Sequence, residues 1–356
     1  MLELDGHGAD VDDAHGLVAG IRIPLVGWKA GGHAFRIALG LGLHVPDRWL
    51  ARVYLIEPTR PSFVMWEGQV SRIVATPVLA LSVDDWLSLG AGATFLVDGA
   101  GTADLQIGFE GAQPRTDALL DLELRARAAP VVGFSISPLR WLTVAGGFAG
   151  EIGLDLGLGV SADLSVPGVE GTTVISVRGT NDYSPPAIWL ALALEPVPFL
   201  EFLVQVTRSF WSRANPWYAR ARLEIDLGAG PSVMGEIAPD ADLVDSWTVA
   251  VGLEGHVPVL RGCDLALRAG YQWRETPVPD QTGFTSYADS DVHLASLGIG
   301  FTTRPGKPVV LGLGWSLQLQ RIVPRSVDKE PDVFVSTGFE SEGWVIATIV
   351  DAAISF

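Results

Sequence analysis

Cysteine, lysine and catalytic signatures are all scarce in this chain. Cys263 is the single cysteine, which excludes an internal disulfide and any Cys-rich metal site. Only three lysines occur among 356 residues, and the formal net charge is −17. A surface so acidic repels phosphate backbones, so nucleic acid is not an expected partner. The histidines (His7, His15, His33, His44, His256 and His293) never take His-Glu-x-x-His spacing. Gly-x-Ser-x-Gly is also lacking, so no nucleophile elbow is indicated. The acidic start, with Asp5, Asp10, Asp12, Asp13 and His7, lacks the spacing of a calcium loop and reads as a solvated tail or loop remnant over residues 1–15. No enzyme activity, catalytic residue, metal or cofactor is expected. A membrane-spanning helix is lacking too. The most apolar stretch, 187–206, is interrupted by Glu195, Pro196, Pro198 and Glu201. Met1-Leu2-Glu3-Leu4-Asp5 has neither a basic nor an apolar segment of the kind a signal peptide needs.

What the chain does have is a period of two. Hydrophobic residues make up 48% of it, with 41 glycines and 12 tryptophans, and they alternate with polar or tiny residues over long runs. In 35–45 the odd positions are Phe35, Ile37, Leu39, Leu41, Leu43 and Val45, against Arg36, Ala38, Gly40, Gly42 and His44. Leu311, Leu313, Trp315, Leu317 and Leu319 face Gly312, Gly314, Ser316, Gln318 and Gln320 in the same way. The final run ends on an aromatic, with Trp344, Ile346, Thr348, Val350, Ala352, Ile354 and Phe356 on one uncharged side. A strand sorts such residues onto two faces, whereas a helix scatters them. A soluble β-sandwich with one wet face is the plain alternative. Two features favour a membrane barrel over it. Many runs approach the roughly 9–11 residues needed to cross a bilayer at a tilt, and the charges lie opposite the apolar face, as in a wet lumen.

The pattern gives about thirteen strands, near 16–27, 33–46, 69–83, 86–97, 118–137, 139–160, 171–195, 199–227, 244–257, 262–275, 291–303, 308–323 and 343–356. The span 199–227 changes phase near Trp211 to Pro216, and reads as one bulged strand or as two. Tight connections near 84, 138, 196, 259 and 306 alternate with long ones at 47–67, 98–117, 161–170, 228–243, 276–290 and 324–342, which favours the single strand. Short turns of outer-membrane barrels are periplasmic and long loops external, so the C-terminus is expected in the periplasm. Single-chain bacterial barrels have even strand numbers. The expectation is therefore that an N-terminal portion with at least one strand is absent, or that a strand within 1–15 or 47–67 escapes detection.

Several local motifs carry a resemblance. Leu267-Arg268-Ala269-Gly270-Tyr271-Gln272-Trp273 is followed by Thr276-Pro277-Val278-Pro279-Asp280, then by Asp289-Ser290-Asp291-Val292-His293 and Ser296-Leu297-Gly298. Phe339-Glu340-Ser341-Glu342-Gly343 precedes the last strand; Pro185-Pro186, Trp211-Ser212 and Asp245-Ser246-Trp247 sit at strand ends. Together they resemble the FadL-type outer-membrane transporters of long-chain fatty acids and other hydrophobic compounds, over most of 16–356. Ala288 and His293 depart from that pattern, standing where the family often has Pro and Arg. The resemblance implies a fourteen-stranded barrel, capture of ligand by external loops, an internal pocket and lateral exit at a kinked strand. It also implies an N-terminal hatch, which nothing here matches.

Within that frame, the external loop near 49–66 is unusually greasy. Trp49, Tyr54, Leu55, Phe63 and Trp66 are candidates for ligand capture, with loop packing as the alternative. A carboxylate headgroup needs a cation. Among the inward arginines, Arg222 and Arg268 are the candidates, against the simpler reading that each pairs with a lumen acid. Pro77 removes a ladder donor and marks either a wall opening or an ordinary bend.

The expectation is thus an all-β, transmembrane, antiparallel up-and-down barrel over 16–356 in a Gram-negative outer membrane. It would be a monomer in contact with outer-membrane lipid, taking up a hydrophobic small molecule, with a long-chain fatty acid as the first expectation. A non-transporting barrel (adhesin, scaffold or phage receptor) and a general polar porin are the competing readings.

Overall fold

A computed structural model describes residues 2–9, 11, 13, 15–46, 61–66, 73–110, 113–166, 169–214, 220–226, 233–237, 242–260, 263–282, 285–303, 309–329 and 338–355. Thirteen strands pair in chain order: β1 (Gly16–Ala30), β2 (His33–Pro46), β3 (Val74–Val83), β4 (Leu87–Glu110), β5 (Gln113–Leu139), β6 (Leu142–Ala149), β7 (Ala187–Val197), β8 (Leu200–Ser209), β9 (Ser246–Leu260), β10 (Cys263–Arg274), β11 (Val292–Thr303), β12 (Val310–Asp328) and β13 (Gly338–Ser355). Every neighbouring pair is antiparallel. The up-and-down order expected from the alternation is the order observed.

The register shows why the two faces differ. Following directly opposed residues from β1 to β13 gives Trp28, Phe35, Val83, Leu87, Ile136, Val144, Leu192, Val204, Val251, Tyr271, Ala295, Leu319 and Ile346. The only side-chain polar atoms in this row are the Trp28 indole nitrogen and the Tyr271 hydroxyl. One residue along each strand, the row from β2 to β13 reads Arg36, Ser82, Ser88, Ser135, Ala145, Ala191, Gln205, Ala250, Gln272, Leu294, Gln320 and Val345. Opposed residues share a face, so the period of two becomes an apolar wall backed by a largely polar one. The apolar wall is open to the surroundings: Leu79, Leu297, Leu313 and Ile346 are all exposed. Ser82 and Ser88 hydrogen-bond on the other face at 3.0 Å, as do Ser137 and Thr143 at 2.9 Å.

The array curls. Phe63, from the loop between β2 and β3, packs in one cluster with Ile322 of β12 and Phe339 of β13. In a flat sheet those elements would lie about nine strand spacings apart, roughly 43 Å. The packed core therefore sits at the long-loop end, between the loops, and not between sheets. The opposite end is closed by tight turns. There Asp84, in the β3–β4 turn, accepts from the Ala34 amide and pairs with His33 Nδ1, both at 2.7 Å, across the β1–β2 turn.

Three of the expected spans are corrected. Those at 139–160, 171–195 and 199–227 are each two strands. One half belongs to the barrel, and the other forms an outer sheet, continuous with the barrel's, at the long-loop end. The hairpin of Ile152–Val166 and Val169–Ser184 pairs with Arg220–Asp226, which pairs in turn with Val233–Ile237. The single bulged strand is thus excluded: a 3₁₀ turn at Trp211–Arg213 follows β8, and Arg220–Asp226 takes other neighbours. Backbone chemistry sets the breaks. Pro185 and Pro186 lack the amides a ladder needs. The Gly150 amide still donates to Pro130 O at 2.8 Å, in register with the β5–β6 ladder, and a Cβ at Gly150 would lie 2.6 Å from Pro130 Cδ. The expected loop at 98–117 is likewise an extension of β4 and β5, paired from Val97↔Ala126 to Glu110↔Gln113. The barrel count is unchanged because the chain leaves the barrel and returns to it.

The amino-terminal residues are not a free tail. Leu2–Leu4 pair antiparallel with Ser341 to Gly343 of β13, and Leu2 is buried in the cluster around Phe63. Asp5 and Gly6, both at positive φ, then turn the chain.

Candidate functional site

β10 and β11 are joined over the barrel mouth by residues 275–291, which form the centre of the cap. Pro277, Val278, Tyr287 and Ala288 are buried there, and Tyr287–Ala288 pairs in parallel with Ser62–Phe63. Phe63 is 0% exposed against Ala288, Val292 and Ile322; Val64 joins Val278 and Tyr287 in a second cluster. Phe63 and Val64 of the greasy loop thus contribute apolar side chains to a lid.

Inside this apolar lid lies a charged group. The Asp289 side chain is 0% exposed. Thr276 Oγ1 donates to its Oδ2 at 2.6 Å, and Arg274 Nη2 stands 3.6 Å from Oδ1. Burial pushes the Asp289 carboxyl above the usual carboxylate range, against the pull of Arg274, Thr276, the Ser290 amide and Arg325. Arg325 on β12 pins the same loop from the side: Nη1 donates to Val278 O at 2.7 Å and Asp289 O at 2.9 Å, and Nη2 to Asp280 at 2.8 Å. Lys329 donates to Thr285 O and to Ser286 Oγ, and burial holds its ammonium below the usual lysine range. Asp291 accepts from Trp273 Nε1 at 3.2 Å and from the Thr276 amide at 2.9 Å. These contacts hold the loop at several points along its length, while Asp289 Oδ1, Arg274 Nη2 and Gln281 Oε1 are buried with no hydrogen-bond partner.

The expected site residues fall in different places. Trp49, Tyr54 and Leu55 lie outside the described residues. Phe63 is locked in the lid. Trp66 lies beside it, with the Arg274 guanidinium 5.4 Å from its ring centre. Arg268 is on the lumen side of β10 and donates from Nε to Glu254 at 2.7 Å; His256 also reaches Glu254, at 2.9 Å. Arg222 lies in the outer sheet, opposite Ser176 and Glu236, and not in the barrel. Pro77 lies opposite Leu41, and pairing of β3 with β4 resumes in the same register beyond it, from Ala75↔Phe95 to Val78↔Gly92. The two strands come very close there: a Cβ on Gly92 would fall 2.1 Å from Pro77 O. Phe63 and Trp66 therefore come together at the lid, while Arg268, Arg222 and Pro77 are separate from it and from one another.

Arg274, Asp289 and Arg325 escaped the sequence reading as site residues. Asp289 stands in a quoted motif, and its signal was the Asp-Ser-Asp run beside a Pro-Val-Pro segment. Among the described residues, no group of three or more His, Cys, Asp or Glu side chains could hold a metal ion.

No protein-family model matches this sequence, and no curated protein does. Solved structures of similar chain path include a FadL homologue from Pseudomonas aeruginosa, at 16% identity and a TM-score of 0.49, covering 90% of this chain and 76% of that one. The monoaromatic hydrocarbon channel CymD is similar at 12% identity and a TM-score of 0.45, covering 95% and 87%. A toluene transporter of Pseudomonas putida, TodX, is similar at 12% and 0.43, covering 90% and 81%. The likeness is in chain path alone.

Proposed function

We propose that this barrel carries hydrophobic small molecules passively across a Gram-negative outer membrane, with long-chain fatty acids as the leading substrate class. The observation that supports this most directly is the lid. A pore for polar solutes needs a wet mouth, whereas this mouth is covered by Phe63, Val64, Val278, Tyr287 and Ile322. Those side chains are packed against one another, so an acyl chain would gain apolar contact there only by displacing part of the lid, at about 0.8 kcal/mol per CH₂ buried. Its headgroup would meet the arginines of the lid and lumen. The polar inner wall beneath would offer an acyl chain little, so release from the lid region toward lipid is the favoured direction. The external and periplasmic assignments follow loop length: tight turns, including the one at Asp84, face the periplasm. The local motifs that resemble the FadL-type family, Thr276-Pro277-Val278-Pro279-Asp280 among them, support the same substrate class.

One observation favours a second reading. The outer sheet built on β4, β5 and the 152–184 hairpin stands beyond the barrel and presents a platform suited to a surface receptor or adhesin. Uptake by proteoliposomes separates the readings. Oleate entry several-fold faster than into protein-free liposomes, with no sugar flux, is the outcome expected. Selective sugar flux would establish a porin instead, and oleate entry equal to the protein-free control would leave the receptor reading.

A further inference from the structure

The outward face of the wall carries charge at one place where its neighbours are apolar. Trp273 lies directly opposite His293, His293 opposite Arg321, and Arg321 opposite Trp344, so these side chains of β10 to β13 form one row. The row belongs to the outward face, because Tyr271, Leu319 and Ile346, two positions away along their strands, are outward and exposed. It also stands at the long-loop end. From Leu311 to Arg321, β12 climbs about 25 Å at a tilt of roughly 40°, which is the height of a barrel's apolar band. Arg321 therefore sits at the border of hydrocarbon and headgroups. It is exposed, with its guanidinium 5.6 Å from the centre of the Trp344 ring. Among the described residues, no carboxylate comes within ion-pair distance of it. Arg208, on the outward face of β8, differs: it lies 4.8 Å from the Trp247 ring centre, but Asp245 stands 3.6 Å from its Nη2. Two acids on the same rim are otherwise placed. Asp291 accepts from Trp273 Nε1 and the Thr276 amide, and Glu342 lies opposite Glu3.

This row has the parts of an anionic headgroup site. Arg321 presents a planar fork of donors that suits a phosphate. His293 Nδ1 is hydrogen-bonded to the Tyr271 hydroxyl at 2.6 Å, with the two ring centres 6.0 Å apart, which leaves Nε2 for a ligand. Directly opposed residues hold their Cβ atoms about 4.5–5.5 Å apart, so one tetrahedral anion can meet both side chains. Toward the middle of the wall, Leu297, Leu317, Leu319 and Ile346 are large, apolar and exposed. We propose that the outward face of β10 to β13 binds a phosphate-bearing lipid of the external leaflet. Its phosphate rests on Arg321 and His293, and its acyl chains lie along those four apolar side chains. Free phosphate would use the charge and leave the apolar surface below it idle, so a lipid is the occupant that fits both. The inference rests on the membrane reading, because it needs the long-loop end to meet the external leaflet.

The test is native mass spectrometry of the full chain in detergent micelles. It is titrated with diphosphorylated lipid A, with the same lipid after removal of its phosphates, and with inorganic phosphate. The protein should bind the phosphorylated lipid about 10-fold or more tightly than the dephosphorylated one, as charge-assisted hydrogen bonds to phosphate require. Arg321→Gln should remove that preference. His293→Gln should reduce it by a smaller factor, so the result does not hang on one variant. Arg208→Gln should leave it in place, because that charge already has Asp245 beside it. Equal binding of the two lipids by the unmodified protein would overturn the proposal, as would a preference that survives Arg321→Gln. Displacement of the lipid by inorganic phosphate at comparable concentration would overturn it too, since the apolar surface would then add nothing. The two readings fail separately. A protein that does not insert into lipid vesicles would sink the membrane reading, whereas an inserted protein that binds both lipids alike would sink only this inference.

Discussion

Val350 in the wall of the barrel is 79% exposed, whereas Phe63 in the cap is fully buried. Both are large and apolar, and they illustrate two ways of holding one chain together. Over most of its length the wall has no side-chain core among the described residues; Leu96 and Ala129 pack with Ile152 at its long-loop end. Its stability comes from the continuous ladder and from a solvent that is itself apolar, so its outward residues need not find partners within the protein. The cap lies outside that solvent and must hide its apolar surface from water. It does so in a small packed core, and it buries the Asp289 charge in the process. The wall therefore tolerates change of shape but not of polarity on its outer face. The cap should be sensitive to both.

The largest expected effect is in the cap. Asp289→Ala removes the acceptor of the Thr276 hydroxyl and the carboxyl beside Arg274, and leaving such buried donors unpaired costs about 1–3 kcal/mol each. Limited proteolysis should then cut within 276–291 while the barrel keeps its resistance to detergent and heat. Loss of both together would show that cap and wall are one cooperative unit. Next in size is a polarity change in the wall. Leu317→Arg should cost about 2–4 kcal/mol in folding measured in lipid vesicles, and Ser316→Arg, on the lumen face one residue away, much less. Equal losses would erase the distinction between the faces.

A smaller effect should separate the two ends by pH. Asp84 lies below the usual carboxylate range, through the Ala34 amide and then His33. Its contribution is present above the unfolded carboxylate pKa and is lost as pH falls through the folded value. Asp289 is displaced upward by burial, so its contribution is full below the unfolded value and is lost as pH rises through the folded one. Amide exchange should therefore loosen the 33–36 and 84–86 turns on acidification and the 276–291 cap on alkalinisation. Asp289→Asn should flatten only the second response. The smallest effect belongs to Arg268→Gln. Its pair with Glu254 is partly exposed, and such pairs contribute about 0.2–1 kcal/mol. The melting point should hardly move. A large loss of oleate binding without loss of stability would assign Arg268 to the ligand instead.

Much of the wall was legible in advance because its information is local. Alternation of Leu311 to Leu319 against Gly312 to Gln320 determines which side chains share a face, whichever strand comes to lie alongside. The strand count survived for the same reason. The outer sheet was not legible: residues 152–166 and 220–226 alternate as the barrel strands do, and period two does not say which neighbour a strand will take. The candidate site was legible only in part. Greasy residues such as Phe63 stood out, but whether they wait for a ligand or pack against Ala288 and Ile322 depends on residues more than 200 positions away. Arg222 was read as a lumen residue, whereas its strand lies between 172–178 and 233–237.

By itself the order of residues determined the element type, the two faces and the up-and-down path, because each follows from side chains one and two positions apart. Tertiary structure alone decided where strands leave the barrel, that Asp289 is sealed beneath the loops, and that Leu2–Leu4 lie on the edge of β13. Those outcomes come from contacts between distant segments, where burial and hydrogen bonding are settled by the partner and not by the neighbour in sequence.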